Sequence, residues 1–229
     1  MQYVNFYKRQ LWFLALSFLL LTSCSVEDAP VYLPIQVNYS TASGYEAVMT
    51  IDYDQKNRIS QTTFMYNGVV DRVFLTYNDD DTLKSFQIKD NYYGMEYSNG
   101  HLSKIFAISP IDSNNWSKNV NYKPGEYSYG EMIYQLDGKD NITWFNGSSI
   151  AYGSADGPFA DANIDVSVKI VYPPEYFVGL LYMCGKEITS HETYDLSIEK
   201  DESGRITKQH LIPKGFSNGI TYSFIYGVF

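Results

Sequence analysis

The sequence predicts an all-β domain, an antiparallel up-and-down meander of hairpins that forms a barrel or a strongly curled sheet. Three observations predict it: a turn unit that recurs five times, segments that alternate apolar and polar residues, and a content of 22 tyrosines and 13 phenylalanines. Flat and β-branched side chains pack well on a pleated surface. Ile164, Val166, Val168, Ile170 and Tyr172 fall on one face of an extended segment, with Asp165, Ser167 and Lys169 opposite. Ile220, Tyr222, Phe224, Tyr226 and Val228 repeat the pattern, against Thr221 and Ser223. No segment of ten or more residues beyond the N-terminal leader has helical spacing.

The turn unit is an apolar or aromatic strand end, an acidic or amide residue, a short polar loop, and a new strand opening with Ile or Leu. Ile51 to Ile59 aligns without gaps on Ile198 to Ile206, and weaker copies run from Leu75 to Leu83 and from Tyr134 to Ile142. A fifth copy, Tyr97 to Leu102, is one residue shorter. One loop position is held by Asn57, Asp81, Gly100, Asp140 and Gly204, all residue types that tolerate positive φ. Hairpin loops of three to five residues commonly end on such a residue, so the chain is expected to reverse there. Asp54, Asn78, Asp137 and Asp201 open their loops, where a side-chain oxygen can accept from a backbone N–H two residues on. Turn chemistry thus accounts for their acidity without catalysis.

The Tyr-Asp-x-x-Asn/Gly-Arg-Ile unit resembles the Tyr-Asp hairpin repeats of Rhs-type shell proteins. Together with the leader below, it looks like an uncharacterised family of Bacteroidota lipoproteins described as having a porin-like fold. The resemblance spans roughly residues 36 to 229, with departures: Lys200 replaces the tyrosine, and Thr82 and Asn141 replace the arginine. It implies a fold and assigns no catalytic residue. Open sheet edges invite pairing with other chains, so sequential hairpins tend to curl or close. Ordinary strand lengths of about five or six residues imply roughly ten to twelve strands. A membrane-embedded barrel is the competing picture. It requires an unbroken apolar outer band, which Asp52, Thr76, Glu96 and Lys104 interrupt.

The chain divides into a leader (1–23), a tether (24–35) and a single β-domain (36–229). Lys8 and Arg9, an apolar stretch from Leu11 to Leu21, and Thr22-Ser23-Cys24 have the three parts of a secretory signal peptide. The stretch is shorter than the ~20 residues of a membrane span. Leu21 to Cys24 resembles the bacterial lipobox, which implies cleavage before Cys24 and acylation of that cysteine. Several acyl chains anchor stably, since each buried methylene contributes about 0.8 kcal/mol. Ser25-Val26-Glu27-Asp28 loosely resembles the export signal of surface-displayed Bacteroidota lipoproteins. The expected location is therefore the outer membrane, by a lipid anchor.

After the leader the chain carries 15 basic and 26 acidic residues, a net charge of −11. This disfavours nucleic acid, whose phosphates it repels. With Cys24 acylated, Cys184 has no disulfide partner and reads as an apolar filler.

Three stretches break the hairpin rhythm: Ser109 to Tyr127, Gly147 to Asn163, and Pro173 to Thr193. The first carries Trp116, Tyr122 and Tyr127, candidate ligand-binding residues, because rings flanked by amides and carboxylates suit sugars. The competing reading is that they pin the loop to the sheet. Gly147-Ser148-Ser149-Ile150-Ala151 falls short of a nucleophile elbow. His101, His191 and His210 lack the spacing of a zinc pair, and Asp79-Asp80-Asp81 reads as a solvated turn rather than a calcium site. No metal, cofactor or catalytic residue is expected. The candidate partners are the membrane, through the lipid, and a glycan or another extracellular polymer. An envelope protein without small-molecule ligand is the alternative, and a hydrolase with carboxylates assembled across strands the lesser one.

Overall fold

The computed structural model describes residues 29–110, 115–171 and 185–229. The leader, Cys24, most of the tether, Tyr172 and Cys184 lie outside the described residues. Among those described there are seventeen strands: β1 Tyr32–Thr41, β2 Glu46–Tyr53, β3 Ile59–Tyr66, β4 Val69–Tyr77, β5 Leu83–Ile88, β6 Asn91–Ser98, β7 His101–Ile108, β8 Trp116–Asn119, β9 Asn121–Lys123, β10 Glu126–Tyr129, β11 Met132–Leu136, β12 Ile142–Phe145, β13 Ser148–Asp156, β14 Lys186–His191, β15 Tyr194–Lys200, β16 Ile206–Pro213 and β17 Ile220–Val228. Among the described residues one helix, α1 (Val166–Val171), lies between β13 and β14 in sequence.

The strands form two antiparallel sheets in place of the single sheet or barrel that the sequence predicts. The larger has eleven strands in the order β15-β16-β17-β1-β2-β3-β4-β5-β6-β7-β8, and the smaller six, in the order β14-β13-β12-β11-β10-β9. Neither closes on itself, and two corners join them. At Val120 the chain passes from β8, paired with β7, to β9, paired with β10, and Val120 N–H donates to Ser103 O at 2.8 Å. At Glu192 and Thr193 it passes from β14, paired with β13, to β15, paired with β16. Strands that change sheet in this way are how orthogonal sheet packings turn their corners. β1 pairs with β17, Tyr32 lying opposite Val228, so both ends of the meander meet inside the larger sheet.

The turn units share a left-handed position and a register shift, and three of the four full-length ones share the hydrogen bonds of their opening aspartate, Asn78 instead donating through Nδ2 to Thr82 Oγ1. Asn57, Asp81, Gly100, Asp140 and Gly204 adopt φ of 59°, 70°, 79°, 58° and 83°. Each unit carries a register shift just before its loop, between Asp52 and Tyr53, Thr76 and Tyr77, Glu96 and Tyr97, Gln135 and Leu136, and Glu199 and Lys200. An extra residue on one strand increases local twist, so the repeat curls the sheets at regular intervals. Asp54 Oδ1 accepts from Lys56 N–H and Arg58 N–H, Asp137 Oδ1 from Lys139 and Asn141, and Asp201 Oδ1 from Ser203 and Arg205. The residue that opens the next strand, Ile59, Leu83, Leu102, Ile142 or Ile206, is at most 1% exposed.

Tyrosines lace the units together. Tyr77 donates to Ile59 O, Tyr97 to Leu83 O, Tyr152 to Ile142 O and Tyr226 to Ile206 O, at 2.7–2.8 Å. Tyr53 donates to Pro34 O at 3.0 Å. Burial raises the pKa of Tyr53, Tyr77, Tyr97 and Tyr226 well above the ordinary tyrosine value, which keeps the hydroxyls protonated as donors. Arg58 stacks over Tyr77 at 4.4 Å while pairing with Asp54 and Asp81, and Arg205 over Tyr32 at 4.2 Å while pairing with Asp201.

Two expectations fail here. Residues 164 to 171, read as a strand, contain α1, in which Ser167, Val168, Lys169, Ile170 and Val171 are all buried. A period of two matters only where one face is wet; this segment is enclosed on all sides, so its polar residues face partners instead of water. Ser167 Oγ meets Tyr97 OH at 2.9 Å, Tyr129 OH donates to Ile170 O at 3.0 Å, and Lys169 Nζ donates to Asp140 O at 2.8 Å. The helix thereby joins β6 of the larger sheet to the smaller one, and Val168 and Ile170 belong to the same apolar cluster as Met49, Ile105, Tyr134 and Ile188. The described parts of the three long stretches are not loops throughout, 111–114 and 173–184 lying outside the described residues. They contain β8, β9 and the start of β10, then β13, then β14, which raises the strand count above ten to twelve. β8 and β9 are exposed throughout, so neither alternates.

Entry into β17 depends on Gly219, where an added Cβ would fall 2.5 Å from Leu211 O. A backbone atom cannot swing away, so Gly219→Ala is expected to cost about 1–3 kcal/mol in urea unfolding.

Candidate functional site

A cleft of about 430 Å³ opens between the turns at Gly100, Gly125 and Gly138 and the start of α1. The start of β7 supplies His101, β9 Tyr122, β10 Tyr127, the β11–β12 loop Asp137 and Asp140, and the residue before α1 Asp165. Tyr122 lies face to face with His101, ring centroids 3.5 Å apart and planes 16° from parallel. Tyr122 is 38% exposed and presents its ring to the cleft. Tyr127, 4% exposed, stands 4.9 Å from Tyr122, with its hydroxyl 3.3 Å from His101 Nδ1. Burial pushes the Tyr127 hydroxyl up to about 12, helped by the neighbouring Tyr122.

The three carboxylates differ in what they already hold. Burial opposes ionisation of Asp137, but hydrogen bonds from the side chain and N–H of Asn141 and from Lys139 N–H prevail and lower its pKa. Asp165 accepts from Ser167 N–H at 3.0 Å, from Ser167 Oγ and from Leu83 N–H at 3.4 Å, and burial raises its pKa. Asp140, at the left-handed position, uses its carbonyl to hold Lys169 Nζ. The arrangement is a half-exposed aromatic platform beside acceptor groups.

Of the candidate residues, Tyr122 and Tyr127 come together and Trp116 does not. Trp116 pairs with Ala107 on β7, six residues beyond His101, or about 20 Å along the strand. It is 42% exposed, with Tyr93 at 6.2 Å and Lys118 Nζ 5.5 Å from its ring. Sequence reading missed His101, taken for a strand histidine, and Asp165, taken for an outward strand residue; nothing in their local sequence marks the cleft. Asp81 pairs with Lys56 and Arg58, and Asp80 accepts from Thr82 N–H and Oγ1, so this acidic run is spent on its own turns. Ser149 donates through both N–H and Oγ to Glu192. Among the described residues no cluster of three His, Cys, Asp or Glu is arranged to hold a metal.

No protein-family model matches the chain, and no curated protein matches it. Among solved structures it is similar to a porin-like protein from Bacteroides uniformis ATCC 8492, at 14% identity and a TM-score of 0.51, over 85% of this chain and 98% of that one. A porin-like protein from Bacteroides vulgatus ATCC 8482 matches at 11% identity and a TM-score of 0.38, over the same shares. The first likeness establishes a shared all-β fold.

Proposed function

We propose that this chain is an outer-membrane lipoprotein, held by acyl chains on Cys24, whose domain binds a glycan or another extracellular polymer in the Tyr122 cleft. The observation that carries the reading is the exposed Tyr122 ring, braced from behind by His101 and flanked by Asp140. Such a ring covers the apolar C–H face of a sugar while neighbouring acceptors take its hydroxyls. The porin-like likeness supports a membrane association. Ion pairs between Glu96 and Lys104 and between Glu199 and Lys208, all substantially exposed, support a wall that stands in water and does not span lipid.

A glycan array followed by calorimetry tests it. Tyr122→Ala is expected to weaken binding about tenfold, or ~1.4 kcal/mol of stacking. Asp140→Asn, which keeps the left-handed turn, is expected to weaken it less, and Trp116→Ala to leave it unchanged. An array without a bound sugar, or Tyr122→Ala binding like the parent, overturns the reading.

One observation favours a second reading, an envelope interaction protein: the motif residues Asp54, Arg58, Asp81, Asp201 and Arg205 are consumed by contacts within and between turns. A hydrolase is less well supported, because Asp137 and Asp165 are committed to local donors.

A further inference from the structure

The exposed apolar side chains are not scattered evenly. Ile225, Gly227 and Phe229 alternate onto one side of the last strand, and a Cβ on Gly227 would meet Ile35 Cγ2 at 2.9 Å and Phe229 Cε2 at 3.1 Å. Ile35 and Phe229 therefore close over the glycine, and with Ile225 they form a patch of large side chains 36–60% exposed. Val37 and Phe224, paired with each other and next in sequence to Gln36 and Ile225, pack in or against the core, so Ile225 faces outward.

The patch lies where the tether arrives. Val31 N–H donates to Phe229 O and Phe229 N–H to Val31 O. Seven residues, Ser25 to Val31, separate Cys24 from Tyr32, a span of roughly 28 Å at full extension. A domain tied this closely keeps the start of β1 at the lipid surface, and the apolar side chains beside that point are the ones that meet it first. Six inter-strand spacings separate β1 from β7 in the sheet order, on the order of 29 Å along the sheet at ~4.8 Å per spacing.

We propose that Ile35, Ile225 and Phe229 dock this edge of the domain onto the lipid surface that carries the Cys24 anchor, fixing how the domain stands on the membrane. The proposal rests on the lipid-anchor half of the functional reading and not on the glycan half. Side chains of this kind enter an interface to a depth of ~5–10 Å.

The test uses the full acylated protein in phosphatidylcholine vesicles with brominated acyl chains, and compares Ile225→Trp with Phe74→Trp. Phe74 is exposed on β4, four strands from β17. The expected result is a blue-shifted signal from the Ile225→Trp indole, quenched about twofold, as for a side chain within the upper acyl region, with the Phe74→Trp indole unquenched. Mass spectrometry of the N-terminal peptide runs alongside. Acylated Cys24 with both indoles unquenched, or both quenched alike, overturns the docking and leaves the anchor standing. An N-terminal peptide without acyl chains overturns both.

Discussion

Replacing Tyr134 with alanine is expected to lower stability by about 3–5 kcal/mol, read as a fall in the urea midpoint with an unchanged slope. Tyr134 is the largest side chain among those less than 2% exposed or nearly so, and its ring lies 4.8 Å from Phe145 and 6.1 Å from Tyr129. It occupies in its turn unit the place held by Ile51, Leu75 and Ile198 in the others. Tyr134→Phe is the informative partner. The hydroxyl meets Met132 Sδ at 3.5 Å and shares a hydrogen bond with the Tyr129 hydroxyl, which also has Ile170 O as a partner, so its loss is expected to cost below about 1 kcal/mol. Equal losses from the two variants would show that the hydroxyl and not the ring sustains the site.

Asp165→Ala is the second substitution with a large expected effect, about 2–3 kcal/mol, because it removes the cap of α1 and strands buried N–H donors at Ser167 and Leu83. Asp165→Asn keeps an acceptor and is expected to retain most of the stability. The two variants also separate the pH terms. Burial raises the folded pKa of Asp165, so its contribution is present below the unfolded carboxyl value and is lost as pH rises through the folded one. Asp54 and Asp137 run the other way. Burial resists their ionisation, the hydrogen bonds from Arg58 and from Asn141 outweigh it, and their contribution is present above the unfolded value and lost on acidification. The deficit of Asp165→Asn relative to the parent is therefore expected to shrink as pH rises from about 4 toward neutrality and to return in acid. A parallel offset at every pH, measured by chemical unfolding, would mean that the carboxyl does not titrate with folding.

How much of this fold is legible in the sequence depends on where each residue's constraint originates. The positive φ at Asn57, Asp81 and Gly204 is a local demand met by residue type, and it can be read directly. The strand order follows, because short loops leave sequential strands little choice of neighbour. α1 is illegible for the opposite reason: the partners of Ser167 and Lys169, Tyr97 and Asp140, lie far away in sequence. β8 and β9 are held by Lys104 to Ala107 and by β10, not by a pattern of their own. The cleft follows the same division. Tyr122 and Tyr127 stand out by composition, whereas His101 joins them only because β7 and β9 meet at the corner, and Trp116 leaves them because β8 runs away from it.

The pairing of β1 with β17 has a consequence for biogenesis. Tyr32 and Val228 are on the order of 200 residues apart in the chain, so the larger sheet lacks its seam until the final strand is available. A polypeptide made from its N-terminus holds β1 and β2 ready early, with one side of β1 unfilled until synthesis reaches β17. Long-range pairing of this kind is slow and leaves partly assembled sheets prone to association. Chaperone residence on the nascent chain should accordingly last until β17 is released and end with it.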